Sequence, residues 1–482
     1  MRKEEMNEAE IIDYLSKVLD SRVLRFIVKR MARIKRMEKV FGIYAGVEDG
    51  NAMDRIYASI IGKAIEGGAK RFNVEGETIR DFLKDPYMRK GFAVIIGSIA
   101  EYGITVPQRL VAPFMVVWDF TKQCNLKCRH CYANSSNKPE EDELTLEERK
   151  EVVDQLDEAG VAAISFSGGE PLANKDFWEV AEYARSKGFY LSVATNGTLI
   201  TEKVAERLKE VGIRYVEISL DGPDAETHDE FRGVKGAFER AVRGIENARD
   251  AGLSTGIATT VTHYNMDEVP RIIELARKLR VDRFIVFNFI PTGRAKDIVE
   301  EDLSPEERER LMNYLYDEWQ KGKLQIFSTS PSYARVSITR RESKVSPTHF
   351  AELELPEEFG GAVKALTEFI GGCGAGRIYC SIEHNGDIQP CVFIPIKVGN
   401  VLKDGFANVW KNSEVMKMLR DRDALDYACS SCSFRYICGG CRARAYAYFG
   451  DLRAPDPGCI LKKEDWEGLR RKEVIIERRT SS

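Results

Sequence analysis

The sequence predicts an α/β protein built on a parallel β-sheet, with a helical segment before the sheet and a cysteine-rich segment after it. Short apolar, β-branched runs alternate with helical patterns between residues 114 and 289. Six such repeats require parallel strands, because each crossover helix returns the chain to the same edge of the sheet. The eleven cysteines form two groups, three between 124 and 131 and eight between 373 and 459.

Composition bounds the class of protein. The chain has 482 residues, 43% hydrophobic and 31% charged, which excludes a disordered, fibrous or multi-span membrane protein. A net charge of −4 argues against nucleic acid as a partner. The charged residues 1–10 do not resemble a secretory signal, so we expect a cytoplasmic location. Clustered cysteines in such a chain favour metal binding over disulfides.

The N-terminal segment, residues 1–110, has helical apolar spacing and is expected to form a helical domain that contacts substrate or membrane. Residues 21–40 predict a basic amphipathic helix. Such a helix is either an ordinary surface helix or a peripheral membrane contact. Its basic stripe contains Arg22, Arg25, Lys29, Arg33 and Arg36. The apolar run 92–106 is too short for a membrane span and is expected to be a buried or interfacial segment.

The six predicted strands bring the motifs to one edge of the sheet, since sites in parallel α/β folds lie at the carboxyl ends of strands. The apolar runs are 114–120, 162–166, 190–194, 215–220, 255–261 and 284–289. Two helix starts are marked by capping boxes, Thr145 with Glu148 and Ser304 with Glu307. We expect the sheet unit to span 111–300, followed by a bridging region 301–370, a cysteine-rich unit 371–465 and a basic tail 466–482.

The first cysteine group follows the first strand directly, as Cys124-x3-Cys128-x2-Cys131 with Tyr132 next. Three thiolates can hold three irons of a cubane and leave the fourth iron without a protein ligand. The alternative is a zinc site, for which His130 is the nearest fourth ligand. The spacing, the aromatic residue and the position after the first strand resemble the radical SAM superfamily.

That resemblance implies a partial (β/α)6 TIM-type barrel and a 4Fe-4S cluster whose open iron binds S-adenosylmethionine (SAM). Reductive cleavage of SAM would give a 5′-deoxyadenosyl radical that abstracts hydrogen from an unactivated carbon. The catalytic group would be the three cysteines. The expected SAM contacts are Tyr132, Gly168, Gly169, Glu170, Asn196, Ser219 and Arg232. The resemblance also implies a low-potential ferredoxin or flavodoxin as partner and sensitivity to oxygen.

The second cysteine group resembles the SPASM extension of radical SAM enzymes, including the Cys-Gly-Gly-Cys-Arg run at 438–442. Eight thiolates are enough for two auxiliary 4Fe-4S clusters, three clusters in all, and two structural zinc sites are the alternative. The resemblance implies that Cys373, Cys380, Cys391 and Cys441 hold one cluster, and that Cys429, Cys432, Cys438 and Cys459 hold the other.

Three functions agree with these motifs. The first is hydrogen abstraction from a large apolar substrate, an isoprenoid membrane lipid or a porphyrin side chain; the run 438–451 is similar to that of haem-biosynthesis decarboxylases. The second is a peptide or protein maturase. The third is an electron carrier, which has no need of a SAM site. The candidate substrate contacts are Tyr333, Arg335, Arg377, Tyr379 and Glu383.

Overall fold

A computed structural model describes residues 34–71, 75–340 and 370–462. Most of the basic stripe, the second part of the bridging region and the basic tail lie outside the described residues. Within the described ranges, no helix is long and apolar enough to cross a membrane.

The described N-terminal segment is helical. Its helices are α1 (Ile34–Ala45), α2 (Ala52–Arg71), α3 (Gly76–Phe82) and α4 (Pro86–Tyr102). The side chain of Asp85 caps α4 by accepting a hydrogen bond from the Tyr87 backbone amide over 3.0 Å. Most of the apolar run 92–106 lies in α4, which packs against α1.

One sheet of ten strands organises the rest of the described chain, in the order β10-β9-β8-β1-β2-β3-β4-β5-β6-β7. The six predicted strands are confirmed as parallel neighbours: β1 (Met115–Thr121), β2 (Ala163–Gly168), β3 (Tyr190–Thr195), β4 (Ile213–Ser219), β5 (Ser254–Val261) and β6 (Arg283–Asn288). Two further parallel strands extend the partial barrel: β7 (Gln325–Ser328) pairs with β6, and β8 (Tyr379–Ile382) pairs with β1. The short β9 (Asp387–Gln389) and β10 (Gly399–Asn400) are antiparallel.

Helices connect the parallel strands, and both predicted capping boxes form at Thr145 and Ser304. The helices of the barrel and bridging region are α5 (Leu146–Ala159), α6 (Phe177–Ser186), α7 (Glu202–Glu210), α8 (Ala225–Arg232), α9 (Ala237–Asp250), α10 (Val269–Leu279), α11 (Pro305–Gln320) and α12 (Ser332–Arg340). The cysteine-rich unit adds α13 (Val401–Asp404), α14 (Phe406–Asn412), α15 (Glu414–Arg420), α16 (Tyr427–Ser430) and α17 (Arg442–Phe449).

The two faces of the sheet have different roles. Side chains such as Trp118 and Phe166 point to the helices and belong to the largest apolar core. Alternate residues, such as Met115 and Val117, point into the barrel and line a cavity. The partial barrel thus has a dry outer layer and an inner chamber, with the cysteine-rich unit joined to its edge through β8.

Candidate active site

The loop after β1 carries the first three cysteines. Cys128 is buried, and Cys124 and Cys131 are half-buried. Burial, together with the Glu170 carboxylate, raises the pKa of the Cys124 thiol to about 12. Burial also raises the pKa of Cys128, although the nearby Arg232 opposes the shift. Because iron binds thiolates, metal loading must displace these protons.

The Gly168-Gly169-Glu170 turn at the end of β2 holds this loop through the backbone. The Gly169 amide donates to the Thr121 carbonyl, and the Glu170 amide donates to the Gln123 carbonyl, each over 2.7 Å. A Cβ at Gly169 would lie 2.1 Å from that Gln123 oxygen. Gly168 has a φ of +110°, which an L side chain rarely adopts. Both glycines are required by the close approach of the cysteine loop.

The buried Glu170 side chain ties the ends of β2 and β3 together. It accepts hydrogen bonds from the Thr195 hydroxyl (2.8 Å), the Asn196 backbone amide (2.9 Å) and the Leu172 amide (3.2 Å). Burial raises the pKa of Glu170 despite these donors. The Asn196 side-chain amide lies 3.9 Å from the Cys124 sulfur. The turn, Asn196 and the first cysteine therefore meet at one edge of the sheet.

Arg232, the last residue of α8, reaches the same place. Its Nε donates to Asp221 over 2.6 Å, and its Nη1 lies 3.7 Å from the Cys128 sulfur. Burial alone would lower the pKa of Arg232, but Asp221 and Cys128 outweigh it and raise the pKa. Ser219 ends β4 on the inward face that Tyr215 and Glu217 share. The structure thus gathers the sequence-predicted side chains at the carboxyl ends of β1 to β4.

Two groups at this edge were missed by sequence reasoning. Arg294, in the segment after β6, donates to the carbonyls of Cys128 (3.0 Å) and Ser135 (2.6 Å) and closes over the cysteine loop. Asp119 is fully buried on β1 and accepts a hydrogen bond from the Tyr132 hydroxyl over 2.9 Å. Its position was readable, because it follows the inward-facing Met115 and Val117 at a spacing of two residues and so shares their face of the strand.

The barrel interior contains a cavity of about 170 Å³. Most of its wall is apolar, with Val117, Ile285 and Phe327 among its residues. Glu217 on β4 and Arg283 on β6 form the polar floor of the cavity. Both are paired in register with Gly256 of β5, which lies between them. The Arg283 guanidinium lies 4.8 Å from the centre of the Tyr215 ring.

Three of the C-terminal cysteines form another part of the cavity wall, namely Cys373, Cys391 and Cys441. The Tyr379 hydroxyl donates to the Cys391 sulfur over 3.0 Å. Cys441 interacts electrostatically with both other thiols, and burial raises its pKa strongly. We call this set the cavity-side cysteines.

Cys380 does not join them, contrary to the expected ligand set. It follows Tyr379 on β8, and successive strand residues point to opposite faces. Tyr379 faces the cavity, so Cys380 faces the helices, where it is fully buried in the main apolar core. The charged group that acts on its thiol is Arg420, not another cysteine.

The remaining four, Cys429, Cys432, Cys438 and Cys459, surround a second, smaller cavity, and we call them the outer cysteines. Burial raises the pKa of Cys459 to about 11, and that of Cys438 still further. Among the described residues, no three His, Cys, Asp or Glu side chains are close enough together to hold a single metal ion.

Comparison with known proteins assigns the family. The radical SAM superfamily model matches residues 118–276, and an iron-sulfur cluster-binding (SPASM) domain model matches residues 373–433. The AdoMet-dependent heme synthase of Methanosarcina barkeri is 37% identical over 73% of this chain and 97% of its own length. The chain is a radical SAM enzyme with a SPASM domain. Membership implies 4Fe-4S clusters and SAM as cofactors.

Two further similarities place this radical SAM enzyme among its relatives. The mycofactocin maturase MftC of Mycolicibacterium smegmatis is 35% identical over 74% of this chain and 84% of its own. The crystal structure of Streptococcus suis SuiB bound to the precursor peptide SuiA superposes with a TM-score of 0.62 at 20% identity, covering 88% of this chain and 92% of that one. That second similarity concerns the fold.

The cysteine-rich unit, which we now call the SPASM unit, contains buried arginines whose positive charge suits anionic clusters. Arg377, Arg422 and Arg442 are each at most 2% exposed and have no carboxylate within ion-pair distance among the described residues. A buried charge without a compensating partner is costly: removing one partner of a buried ion pair destabilises a protein by about 3–5 kcal/mol. Iron-sulfur clusters bound to thiolates carry negative charge and would compensate these guanidinium groups.

The five candidate substrate contacts have different outcomes. Tyr379 lines the cavity. Tyr333 and Arg335, expected in a polar stretch, lie in helix α12 instead; Tyr333 is buried in the apolar core, and Arg335 forms an ion pair with Glu309 beside the outer cysteines. Arg377 is buried away from the cavity wall. Glu383 forms an ion pair with Lys122 over 2.6 Å.

Proposed function

We propose that the enzyme holds three 4Fe-4S clusters. Cys124, Cys128 and Cys131 hold the SAM-binding cluster, the cavity-side cysteines hold the first auxiliary cluster, and the outer cysteines hold the second. The convergence of the Gly-Gly-Glu turn, Asn196 and Arg232 on the first cysteines supports a SAM site there. The proposed SAM contacts are Tyr132, Gly168, Gly169, Glu170, Asn196, Ser219 and Arg232. A low-potential ferredoxin or flavodoxin would supply the electron for SAM cleavage.

The proposed substrate is a porphyrin whose propionate side chain enters the barrel and loses its carboxyl group. Bound SAM and its cluster would supply a radical that abstracts hydrogen from the side chain, and the auxiliary clusters would accept the one electron released as carbon dioxide leaves. The observation that carries this proposal is the cavity itself. It lies inside the barrel against the cavity-side cysteines, and its largely apolar wall ends in the polar pair Glu217 and Arg283.

The size and chemistry of the cavity favour insertion of a side chain. Its volume of about 170 Å³ is below the ~300 Å³ at which pockets begin to enclose whole drug-sized ligands. The guanidinium of Arg283, whose Nε donates to Gln325 over 3.2 Å, brings positive charge to the cavity wall, and such a charge attracts a carboxylate. The apolar inward residues exclude water from the reacting carbon. The AdoMet-dependent heme synthase among the relatives supports a tetrapyrrole rather than the isoprenoid lipid.

Anaerobic turnover with a reductant, SAM and an iron porphyrin bearing propionate groups tests this function. We expect 5′-deoxyadenosine and a porphyrin lacking a carboxyl group, both measured by mass spectrometry. Arg283→Met should raise KM for the porphyrin more than Arg283→Lys does, because only the methionine variant lacks a cation. Formation of 5′-deoxyadenosine with no change in any porphyrin would contradict the proposed substrate.

A peptide is the second candidate substrate, favoured by the maturase MftC among the relatives. A peptide side chain would fit the same cavity. Turnover with a precursor peptide in place of the porphyrin distinguishes the two, since a peptide maturase would change the mass of the peptide and leave the porphyrin intact.

A further inference from the structure

Arg377 is the most isolated charged group in the described part of the SPASM unit. Its side chain is 1% exposed, and none of its three guanidinium nitrogens has a hydrogen-bond partner among the described residues. Among them, no carboxylate lies close enough to form an ion pair with it. Burying an unpaired guanidinium is costly, so a compensating anion must be nearby in the loaded enzyme.

The backbone places Arg377 close to Cys373, the first of the cavity-side cysteines. Its amide donates to the Gly374 carbonyl over 3.0 Å, in the turn that directly follows Cys373. Its Nη2 lies 2.8 Å from the position that a Cβ on Gly371 would occupy, two residues before Cys373. The backbone of Arg377 therefore contacts the chain just after that cysteine, and its guanidinium lies against the chain just before it.

A second buried guanidinium approaches the same cysteine. Arg422 is 2% exposed, and its Nη2 donates to the Cys373 carbonyl over 2.5 Å. It packs flat on Gly439, where a Cβ would lie 2.7 Å from the guanidinium carbon, beside the outer cysteine Cys438. Arg422 thus lies between the two sets of thiols, whereas Arg377 interacts electrostatically with Cys373 alone among the cysteines.

We propose that Arg377, backed by Arg422, is a positioning residue that raises the reduction potential of the auxiliary cluster held by the cavity-side cysteines. Each one-electron reduction adds one negative charge to the cluster. A fixed, desolvated positive charge stabilises the reduced form more than the oxidised form, because little water screens the interaction. The direction of the effect follows from the sign of the charge.

This inference rests on the proposed set of clusters, and it deepens the proposed function. A substrate that loses hydrogen and carbon dioxide leaves one electron behind. The cluster on the cavity wall is the nearest proposed acceptor, and a raised potential favours that transfer. Arg377 would act through the cluster and does not contact the substrate.

A redox titration of the iron-loaded protein, followed by electron paramagnetic resonance without substrate, tests the inference. Cys391→Ala identifies the signal of the cavity-side cluster by its absence. In Arg377→Gln we expect the midpoint potential of that signal to fall, with the other two clusters unchanged. Arg377→Lys keeps the charge and should retain the wild-type midpoint. Because no substrate is present, failure of porphyrin turnover would not alter this result.

Arg420→Gln is the matched control. Arg420 is also buried without a carboxylate partner among the described residues, but it stacks 4.1 Å from the Trp410 ring and interacts with Cys380. Its loss should leave the cavity-side midpoint unchanged. Equal midpoints in Arg377→Gln and wild type, or an equal fall in the Gln and Lys variants, would overturn the proposal. If Arg377→Gln loses iron, wild-type iron content and midpoint in Arg377→Lys support the proposal, and iron loss in both variants overturns it.

Discussion

The hydroxyl of Tyr132 donates a hydrogen bond to Oδ1 of Asp119 over 2.9 Å and joins the cysteine loop to the inner face of β1. The Tyr132 ring packs edge-on against Phe393, with 4.9 Å between the ring centres. Phe393 lies on the cavity wall two residues after Cys391. One tyrosine therefore connects the first cysteine group, the barrel interior and the loop of the cavity-side cysteines.

Asp119→Asn should change how stability depends on pH. Burial, reinforced by the Glu383 carboxylate, raises the pKa of Asp119 from 3.8 to about 7. The folded state therefore holds a proton that the unfolded state releases between these values, and stability falls as pH rises through that window. Asparagine keeps the acceptor for Tyr132 and removes this dependence. Urea unfolding of the loaded protein should show the variant gaining stability relative to wild type between about pH 4 and about pH 7.

Asp142→Asn is the control of opposite sign. The pKa of Asp142 is lowered, chiefly by a hydrogen bond from Asn385, so its carboxylate contributes stability above the unfolded pKa and loses it in acid. Removing that carboxylate should reduce stability slightly at neutral pH. If the difference in unfolding free energy between wild type and Asp119→Asn did not change with pH across this window, that result would contradict the assignment of a buried, protonated Asp119.

Glu170→Gln should destabilise the enzyme by about 1–3 kcal/mol, because the new amide turns a donor toward groups that already donate. Glu170 accepts from Thr195, Asn196 and Leu172, and one glutamine oxygen cannot serve all three. Denaturant unfolding measures the loss. Glu148→Gln is the matched control: Glu148 caps α5 at the surface, and glutamine also serves in a capping box. Equal losses in the two variants would refute a special role for Glu170.

Much of the barrel was readable from the chain. Strand alternation and helix caps act over a few residues, so β1 to β6 and the capping boxes at Thr145 and Ser304 were predicted correctly. The Gly-Gly-Glu turn and Asn196 were placed correctly at neighbouring strand ends, because parallel strands end at the same edge. The turn is held to the cysteine loop by backbone hydrogen bonds and Asn196 by its side chain, and both depend on tertiary contacts.

The errors came from segments whose local pattern was short. Tyr333 was placed in a polar stretch, but α12 packs against α11 and places Tyr333 in the apolar core. The resemblance to the SPASM extension placed Cys380 with the other cysteines, although Ile378, Cys380 and Ile382 alternate as one apolar face of a strand. The signal was present, but a strand of four residues among cysteines is recognised only when its pairing with β1 is known.

Cys124→Ala and Cys432→Ala should fail in different ways. Loss of Cys124 removes a ligand from the proposed SAM-binding cluster, so 5′-deoxyadenosine formation should cease. Loss of Cys432, beside the smaller cavity, should leave some SAM cleavage while product formation fails. Chromatography of 5′-deoxyadenosine and product from the same anaerobic reaction measures both. Retained cleavage in Cys124→Ala would refute the assignment of the first cysteine group.

Iron content distinguishes a ligand from a core residue among the C-terminal cysteines. Cys380 faces the apolar core, and Cys391 faces the cavity and receives the Tyr379 hydroxyl. Cys380→Ala should therefore keep the full complement of about twelve irons per chain, at the cost of about 1 kcal/mol for a small void. Cys391→Ala should lose about four irons. Equal losses of iron in both variants would show that Cys380 is a cluster ligand. With Cys380 retained in the core, ten of the eleven cysteines remain for iron, and the first auxiliary cluster, like the SAM-binding one, has three thiolates for four irons.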